Sequence, residues 1–411
     1  MHKKLICLAL GSVFTMPLAV SADSSSVKIF GRVQAEYSST KIDQAAGAAD
    51  FRQEVIGDNA GQSRWGLDIS EDLGNGLRAK ARIEYGFSTG AGVADNAREQ
   101  WVGLAGKNWG EFKFGRFESP LKNFVGGATI DPFFDSNLQA VGAGGAMYGP
   151  NNGLGSSAFI DHAIRYDSPD FNGFSAAVVL LPGDATQTEP NAGGAGGTGG
   201  RGGSGDYQVA LKYQFGNKNE IFGAYSNDNA SDTQRAAFTN DRFGDDETLW
   251  RIGGKVTFGD FSLVGQYDDV RNALANGGVI CSGGANAGAD AGNTTSQCNS
   301  SLNANGDGSI WFLGAHYNLG KTTFIVQGGR TKADQVNSAA SGAVTAGERS
   351  ARNVTLGAIY QLSKRTRVFG GYQRVNVDGA RAVDNTAATG TTALAIQPKR
   401  STWDIGLRHD F

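Results

Sequence analysis

Residues 207–215 read Tyr207-Gln208-Val209-Ala210-Leu211-Lys212-Tyr213-Gln214-Phe215, with a large apolar side chain at every odd position and Gln, Ala or Lys between. Successive side chains of a strand point to opposite faces, so this spacing makes one face greasy and the other polar. The pattern recurs along the chain. Trp250, Ile252, Gly254, Val256 and Phe258 alternate with Arg251, Gly253, Lys255 and Thr257. Leu77, Ala79, Ala81, Ile83, Tyr85 and Phe87 alternate with Arg78, Lys80, Arg82 and Glu84. Trp403, Ile405, Leu407 and Phe411 stand against Thr402, Asp404, Arg408 and Asp410, with His409 the one poor fit. A soluble sandwich would alternate too, packing its apolar face on a second sheet. Here the apolar faces begin and end with Tyr, Phe or Trp, as expected where strands cross the two headgroup levels of a bilayer.

Working outward, the pattern yields sixteen segments: near 27–38, 62–70, 77–88, 97–106, 110–117, 160–168, 173–181, 206–216, 219–227, 247–258, 261–270, 308–319, 321–331, 351–362, 365–377 and 400–411. Their connections alternate between short and long. Glu71–Gly76, Lys107–Gly110, Pro169–Gly173, Gly216–Lys218, Gly259-Asp260 and Ser363-Lys364 are short; 118–159, 183–205, 229–246, 271–307, 332–350 and 378–399 are long. That rhythm belongs to an up-and-down barrel with short periplasmic turns and long external loops, and closure removes unpaired edges. The predicted fold is all-β: a sixteen-stranded antiparallel transmembrane β-barrel with the third external connection folded inward. Sixteen strands enclose an interior too wide for side chains to fill, hence a water channel.

The start of the chain specifies the compartment. Lys3 and Lys4 precede an apolar stretch from Leu5 to Val20, and Val20-Ser21-Ala22 carries the small residues a signal peptidase prefers. Residues 1–22 read as a cleaved signal peptide and 23–411 as one barrel domain, exported to the outer membrane of a Gram-negative cell. Cleavage leaves 35 basic against 40 acidic residues. No later run of about 18 apolar residues exists, so no transmembrane helix is expected. Cys281 and Cys298 remain as an even pair in one Gly/Asn/Ser-rich loop, where an oxidising periplasm would join them as a disulfide. A zinc site is poorly served, because no other Cys or His lies near them.

Few motifs speak for catalysis. Gly194-Ala195-Gly196-Gly197-Thr198-Gly199 matches GxGxxG, but more glycine and then a strand follow where a phosphate site needs a helix. His162, His316 and His409 are scattered, and neither a nucleophile elbow nor a metal-spaced cluster appears. An adhesive barrel with no open lumen and a barrel enzyme are the competing classes. Charged side chains lining many strands favour an open, wet lumen over both.

By the alternation, Arg32, Arg64, Arg78, Lys80, Arg82 and Arg98 share the polar face of the first four strands and form a ladder on one wall. The segment Glu118–Phe159 carries Glu118, Asp131 and Asp135 but only Lys122 in return. Folded inward, its carboxylates would face the arginines across a narrow gap, giving a transverse field and a size limit. The ladder argues for anion preference and the negative net charge for cations; local geometry outranks net charge, so the reading leans to anions. Nucleic acid is excluded as a partner by charge and compartment.

These residues resemble the general bacterial trimeric porin family across essentially the whole mature chain. The resemblance is carried by Gly31-Arg32, by Ser63-Arg64-Trp65-Gly66 with Glu71-Asp72-Leu73-Gly74-Asn75-Gly76, and by Arg98 with Trp101-Val102-Gly103-Leu104. Gly115-Arg116, Asp131-Pro132-Phe133, Tyr166-Asp167-Ser168-Pro169 with Phe171 and Gly173-Phe174, and the terminal Phe411 complete it. The resemblance implies a homotrimer, no cofactor, and passive diffusion of ions and small hydrophilic solutes through outer-membrane lipid. It implies that Arg32, Arg64 and Arg98 are constriction cations, joined by Arg82 on the alternation, with Asp131 and Asp135 the loop anions. Phe411 is similar to the signal read by the barrel assembly machinery. The PEFGG-type loop sequence of enterobacterial members is absent.

Overall fold

Strand after strand, odd and even residues part company at the wall, and the wall closes on itself. The computed structural model describes residues 25–43, 51–58, 63–90, 92–140, 159–182, 205–216, 218–229, 246–274, 305–333, 336–337, 344–345, 349–379 and 399–411. The strands are β1 (Ser26–Asp43), β2 (Phe51–Gly57), β3 (Ser63–Gly74), β4 (Leu77–Ser88), β5 (Gly92–Gly106) and β6 (Gly110–Glu118). Next come β7 (Phe159–Asp167), β8 (Phe174–Leu181), β9 (Asp206–Phe215), β10 (Asn219–Asp228), β11 (Glu247–Phe258), β12 (Phe261–Leu274), β13 (Asn305–Leu319) and β14 (Thr322–Ala333). After a small hairpin of β15 (Val336–Asn337) and β16 (Val344–Thr345), β17 (Arg349–Gln361), β18 (Thr366–Gly379) and β19 (Lys399–Asp410) finish the wall.

Each wall strand pairs antiparallel with the next, and β19 returns to β1. The sheet has 17 strands, but β2 and β3 lie end to end along β1, opposite residues 36–42 and 26–32 respectively. The ring is therefore sixteen strands around. Where the carboxyl end meets the first strand, Gly31 and Phe411 exchange backbone hydrogen bonds of 3.2 and 3.0 Å. The Phe411 ring lies so close over Gly31 that an added Cβ would sit 2.4 Å from it, which is why glycine stands there.

The outer face is the apolar one. Leu211, Ile221, Ile252, Leu313, Leu356 and Ile405 are each at least half exposed on it. Six to eight residues separate Tyr207 from Tyr213 and Trp250 from Phe258, roughly 20–26 Å at ~3.3 Å per residue. That matches an apolar band about 25 Å tall between two aromatic girdles. No helix among the described residues is long and apolar enough to cross a membrane.

Two details depart from the sequence reading. Strand β2 was not expected, and β3 runs through Glu71 and Asp72 to Gly74, leaving Asn75-Gly76 as the turn. Both additions lie where strands extend beyond the apolar band into water, so period-two hydrophobicity no longer marks them. His409 has the same explanation: at the short-turn end its ring meets the Thr366 hydroxyl at 2.8 Å.

The core lies inside the barrel, between the wall and the segment that follows β6. Ser119 caps a one-turn helix α1 (Pro120–Asn123), its hydroxyl accepting from Leu121 N at 3.0 Å, and a 3-10 turn follows at Gly127–Thr129. Leu121, Val125, Ile130 and Ala140 pack on inward-facing Phe222, Leu249, Val264 and Phe312. Phe133 and Leu138 pack on Ile325, Ile359 and Phe369. The inner wall thus offers the loop apolar seats set among polar groups, such as Arg251, which donates to the Leu121 and Val125 carbonyls at 2.6 and 3.1 Å, and the expected inward folding is what the described part, through Ala140, displays.

Candidate pore constriction

Arg32 on β1 and Arg64 on β3 are directly opposite in register and both face the lumen. Like charges so placed repel. The inward loop resolves the conflict by bringing one carboxylate between them. Asp135 Oδ2 accepts from Arg32 Nη1 at 2.5 Å and from Arg64 Nη2 at 3.2 Å. Arg32 Nε also meets the Asp410 carboxylate at 2.8 Å.

The loop backbone is built to hold that carboxylate in place. Asp135 has φ +69°, a left-handed conformation that costs a non-glycine residue. Its N–H donates to Gln139 Oε1 at 2.8 Å, and its carbonyl accepts from Gln34 Nε2 at 2.5 Å. Two residues on, Asn137 N–H donates to Glu36 and its side-chain amide to Asp404, both at 2.9 Å, tying the loop to β1 and β19. Burial alone would push the Asp135 carboxyl up; Arg64 and Arg32 outweigh it and hold the group well below the usual carboxylate range.

Arg98 joins this cluster through its neighbours. It pairs with Glu84, which lies 3.9 Å from Arg64, and reaches Glu118 at 3.4 Å. Lys122 of α1 pairs with Glu118 at 2.6 Å, and its burial lowers the ammonium below its ordinary value despite that partner. Phe159 carries three cations near its ring: Lys122 at 4.2 Å, Arg98 at 4.9 Å and Arg116 at 5.0 Å. The register shift between Ile83 and Tyr85 bulges β5, so that adjacent Arg98 and Glu99 are both buried.

The remaining predicted residues divide. Arg82 stands on the same wall but two inward positions nearer the short turns, engaged by Asp68 at 2.7 and 3.0 Å and by Glu99 at 2.6 Å. Asp131 lies against β14, on the loop's other side. One oxygen accepts from Phe133 N at 2.9 Å and Gln327 Nε2 at 2.8 Å, the other from Ala140 N at 2.7 Å. It shapes the loop, because a carboxylate two residues ahead of a turn captures the turn's own N–H groups. The expected gap between acids and arginines is, at Asp135, a contact. Sequence reasoning missed Glu84, Glu99 and Phe159; the even position of Glu84 on β4, in line with Arg82 and Lys80, was the readable signal for the first. Cys281 and Cys298 lie outside the described residues.

A closed β-wall with an apolar outside, a wide charged inside and a loop folded across it defines a β-barrel membrane channel. The chain belongs to the Gram-negative porin family, whose family model matches residues 8–380, and its location is the outer membrane. It is 34% identical over 126 residues to an outer membrane porin protein of Bordetella pertussis, covering 28% of this chain and 29% of that protein. It is 31% identical over 229 residues to the major outer membrane protein P.IB of Neisseria gonorrhoeae, covering 52% and 54%. The chain spans about half or less of the length of the curated relatives that it matches. The anion-selective porin from Comamonas acidovorans superposes with a TM-score of 0.62 at 20% identity, over 94% of this chain and all of that one, a likeness of fold.

Proposed function

We propose that this porin is a passive diffusion channel for ions and small hydrophilic solutes, narrowed where the basic wall of Arg32, Arg64 and Arg98 meets the loop carboxylate Asp135. The observation that carries the reading is the bridging of two opposed lumen arginines by a loop residue. Charge on both sides of a narrowing is what a pore uses to choose its solutes. Arg82 lines the approach on the short-turn side, and Asp131 gives the loop its shape. Five cations (Arg32, Arg64, Arg98, Lys122, Arg408) stand against four carboxylates (Asp135, Glu84, Glu118, Asp410) in this cluster, which supports a weak preference for anions.

The channel works without catalysis or cofactor; family membership and the lack of a nucleophile–base pair in the sequence support this. It assembles as a homotrimer of separate pores, a reading supported by the family resemblance. Residues 1–22 are removed on export, 23–411 form one domain, Cys281 and Cys298 pair, and Phe411 serves as the assembly signal. The test is single-channel conductance in a planar bilayer under a KCl gradient. Steady current closing in three equal steps is expected, with a reversal potential slightly on the anion side. A folded barrel that passes no current at any voltage would overturn the channel reading.

A further inference from the structure

On the lumen face of β14 and β17, three neutral side chains stand together with polar atoms left unmet. Gln327, Thr331 and Asn353 are only 2%, 5% and 3% exposed, while Val326 and Val354, one position away on the same strands, face the lipid. Gln327 and Thr331 lie two positions either side of Gly329 on β14, and Asn353 is directly opposite that glycine on β17. Side chains so placed share one face, close enough to meet a single small molecule. The Gln327 amide donates to Asp131 at 2.8 Å. Its Oε1, the Thr331 hydroxyl, and both the oxygen and the nitrogen of the Asn353 amide have no hydrogen-bond partner among the described residues. A buried polar group left unmet is costly, and folded proteins hold few of them. Four such atoms on three adjoining residues call for a polar partner.

The atoms themselves select the partner's chemistry. A bare cation would meet the oxygens of Gln327, Thr331 and Asn353 but leave the Asn353 N–H groups without an acceptor. An anion would meet those N–H groups but set its charge against two carbonyl oxygens and the neighbouring Asp131 carboxylate. A hydroxyl group serves both, donating to the Gln327 and Asn353 carbonyl oxygens and accepting from the Asn353 N–H groups; the Thr331 hydroxyl takes either role. Apolar side chains flank the three. Phe312 lies opposite Gly329 and Ile310 opposite Thr331 on β13, Val375 lies opposite Asn353 on β18, and all are buried. Hydroxyls on a carbon framework match that surround, with C–H groups against the apolar flanks.

We propose, on the diffusion-channel reading above, that Gln327, Thr331 and Asn353 form a binding subsite for neutral polyhydroxylated solutes, sugars and other polyols. It sits on the wall that the loop reaches through Asp131, with β18 and β19 between it and the arginine of β1. No ionised side chain belongs to it, so it acts on solutes that the charged constriction does not hold. Gly329 leaves room at its centre by having no side chain, and Gln327 couples it to the loop.

The experiment measures single-channel current of the full-length, refolded protein in a planar bilayer as glucose is added, with triethylene glycol dimethyl ether, of similar mass, as the control. The ether accepts hydrogen bonds but donates none. In wild type, glucose is expected to lower the current and raise its noise along a saturating curve, whereas the ether lowers it only in step with bulk conductivity. Thr331→Val/Asn353→Leu, which keeps the side-chain shapes, should raise the half-saturating glucose concentration about tenfold, the loss expected from removing two neutral hydrogen bonds. Gln327 is left in place because it also holds Asp131. Heat-modifiable gel migration checks folding; should the double variant fail to fold, Thr331→Val against Thr331→Ser, which restores the hydroxyl, decides. A glucose response that never saturates, that the ether reproduces, or that the folded variants leave unchanged would overturn the proposal and assign these groups to water. No current under any condition would overturn the channel reading itself, and the subsite with it.

Discussion

Arg32 and Arg64 face each other across the β1–β3 ladder and are joined through a single oxygen of Asp135, at 2.5 and 3.2 Å. The carboxylate neutralises part of the wall and fastens the loop to it. Replacing it with Asn keeps the shape but removes the charge and leaves two largely buried guanidinium groups opposed. Breaking such a pair costs about 3 kcal/mol. Asp135→Asn is therefore expected to lower the temperature at which the folded band is lost on a heat-modifiability gel. It should also move the reversal potential in a KCl gradient clearly towards anions. An unchanged potential would remove Asp135 from the narrowest part of the pore.

The same contact sets a pH dependence. Asp135 is depressed by Arg64 and Arg32 in the folded state, against the pull of its burial. A group lowered on folding contributes its stabilisation in full above its unfolded value, about 3.9 for Asp, and loses it as pH falls through the lowered one. The difference in reversal potential between wild type and Asp135→Asn should accordingly stay constant from pH 7 to about 4, closing only in stronger acid. Convergence of the two proteins already near pH 5 would mean that Asp135 titrates as an ordinary carboxylate, with the clamp open.

The barrel was legible because its signal is repeated. Tyr207 to Phe215 states a rule that recurs from strand to strand, and closure follows from strand number and loop rhythm. The inward facing of the wall arginines follows from parity for Arg32, Arg64 and Arg82, and the alternation puts Arg98 on the same face. Arg98 lies inside by a different cause, the bulge it shares with Glu99, which no period-two count contains. Asp131 and Asp135 look equivalent in the sequence, four residues apart on one loop. Only the folded loop turns one to the arginines and the other to Gln327 and its own backbone. The loop's seat did leave a trace, since Phe222, Leu249, Val264 and Phe312 are apolar at positions whose parity points to water.

Charge at the basic wall should govern selectivity by sign. Arg64→Gln with Arg98→Gln removes two of the five cations around Asp135 and leaves Glu84 and Glu118 without a guanidinium partner in the cluster. The reversal potential is expected to cross to the cation side, with little change in conductance at 1 M salt, where the screening length is only about 3 Å. A potential that stays at the wild-type value would mean that ions pass at a distance from both residues.

The loop's apolar seat gives a prediction of opposite character, on pore size and not on charge. Phe133 is buried against Ile325, Ile359 and Phe369, and a Cβ built on Gly357 would lie 2.7 Å from its ring. Glycine at 357 is thus what lets the tip of the ring approach the wall, and Phe133 is the anchor nearest to Asp135 in sequence. Truncating a buried Phe to Ala typically costs 3–5 kcal/mol. The barrel's own ladder is untouched by this change, so the loss falls on the attachment of the loop. Phe133→Ala should therefore leave the heat-stable band nearly unchanged while raising single-channel conductance and its noise, as the loop leaves the wall more often. It should also admit neutral sugars that wild type excludes in a liposome-swelling measurement. If conductance and exclusion size both match wild type, the ion pairs of Asp135 and the hydrogen bonds of Asn137 hold the loop by themselves.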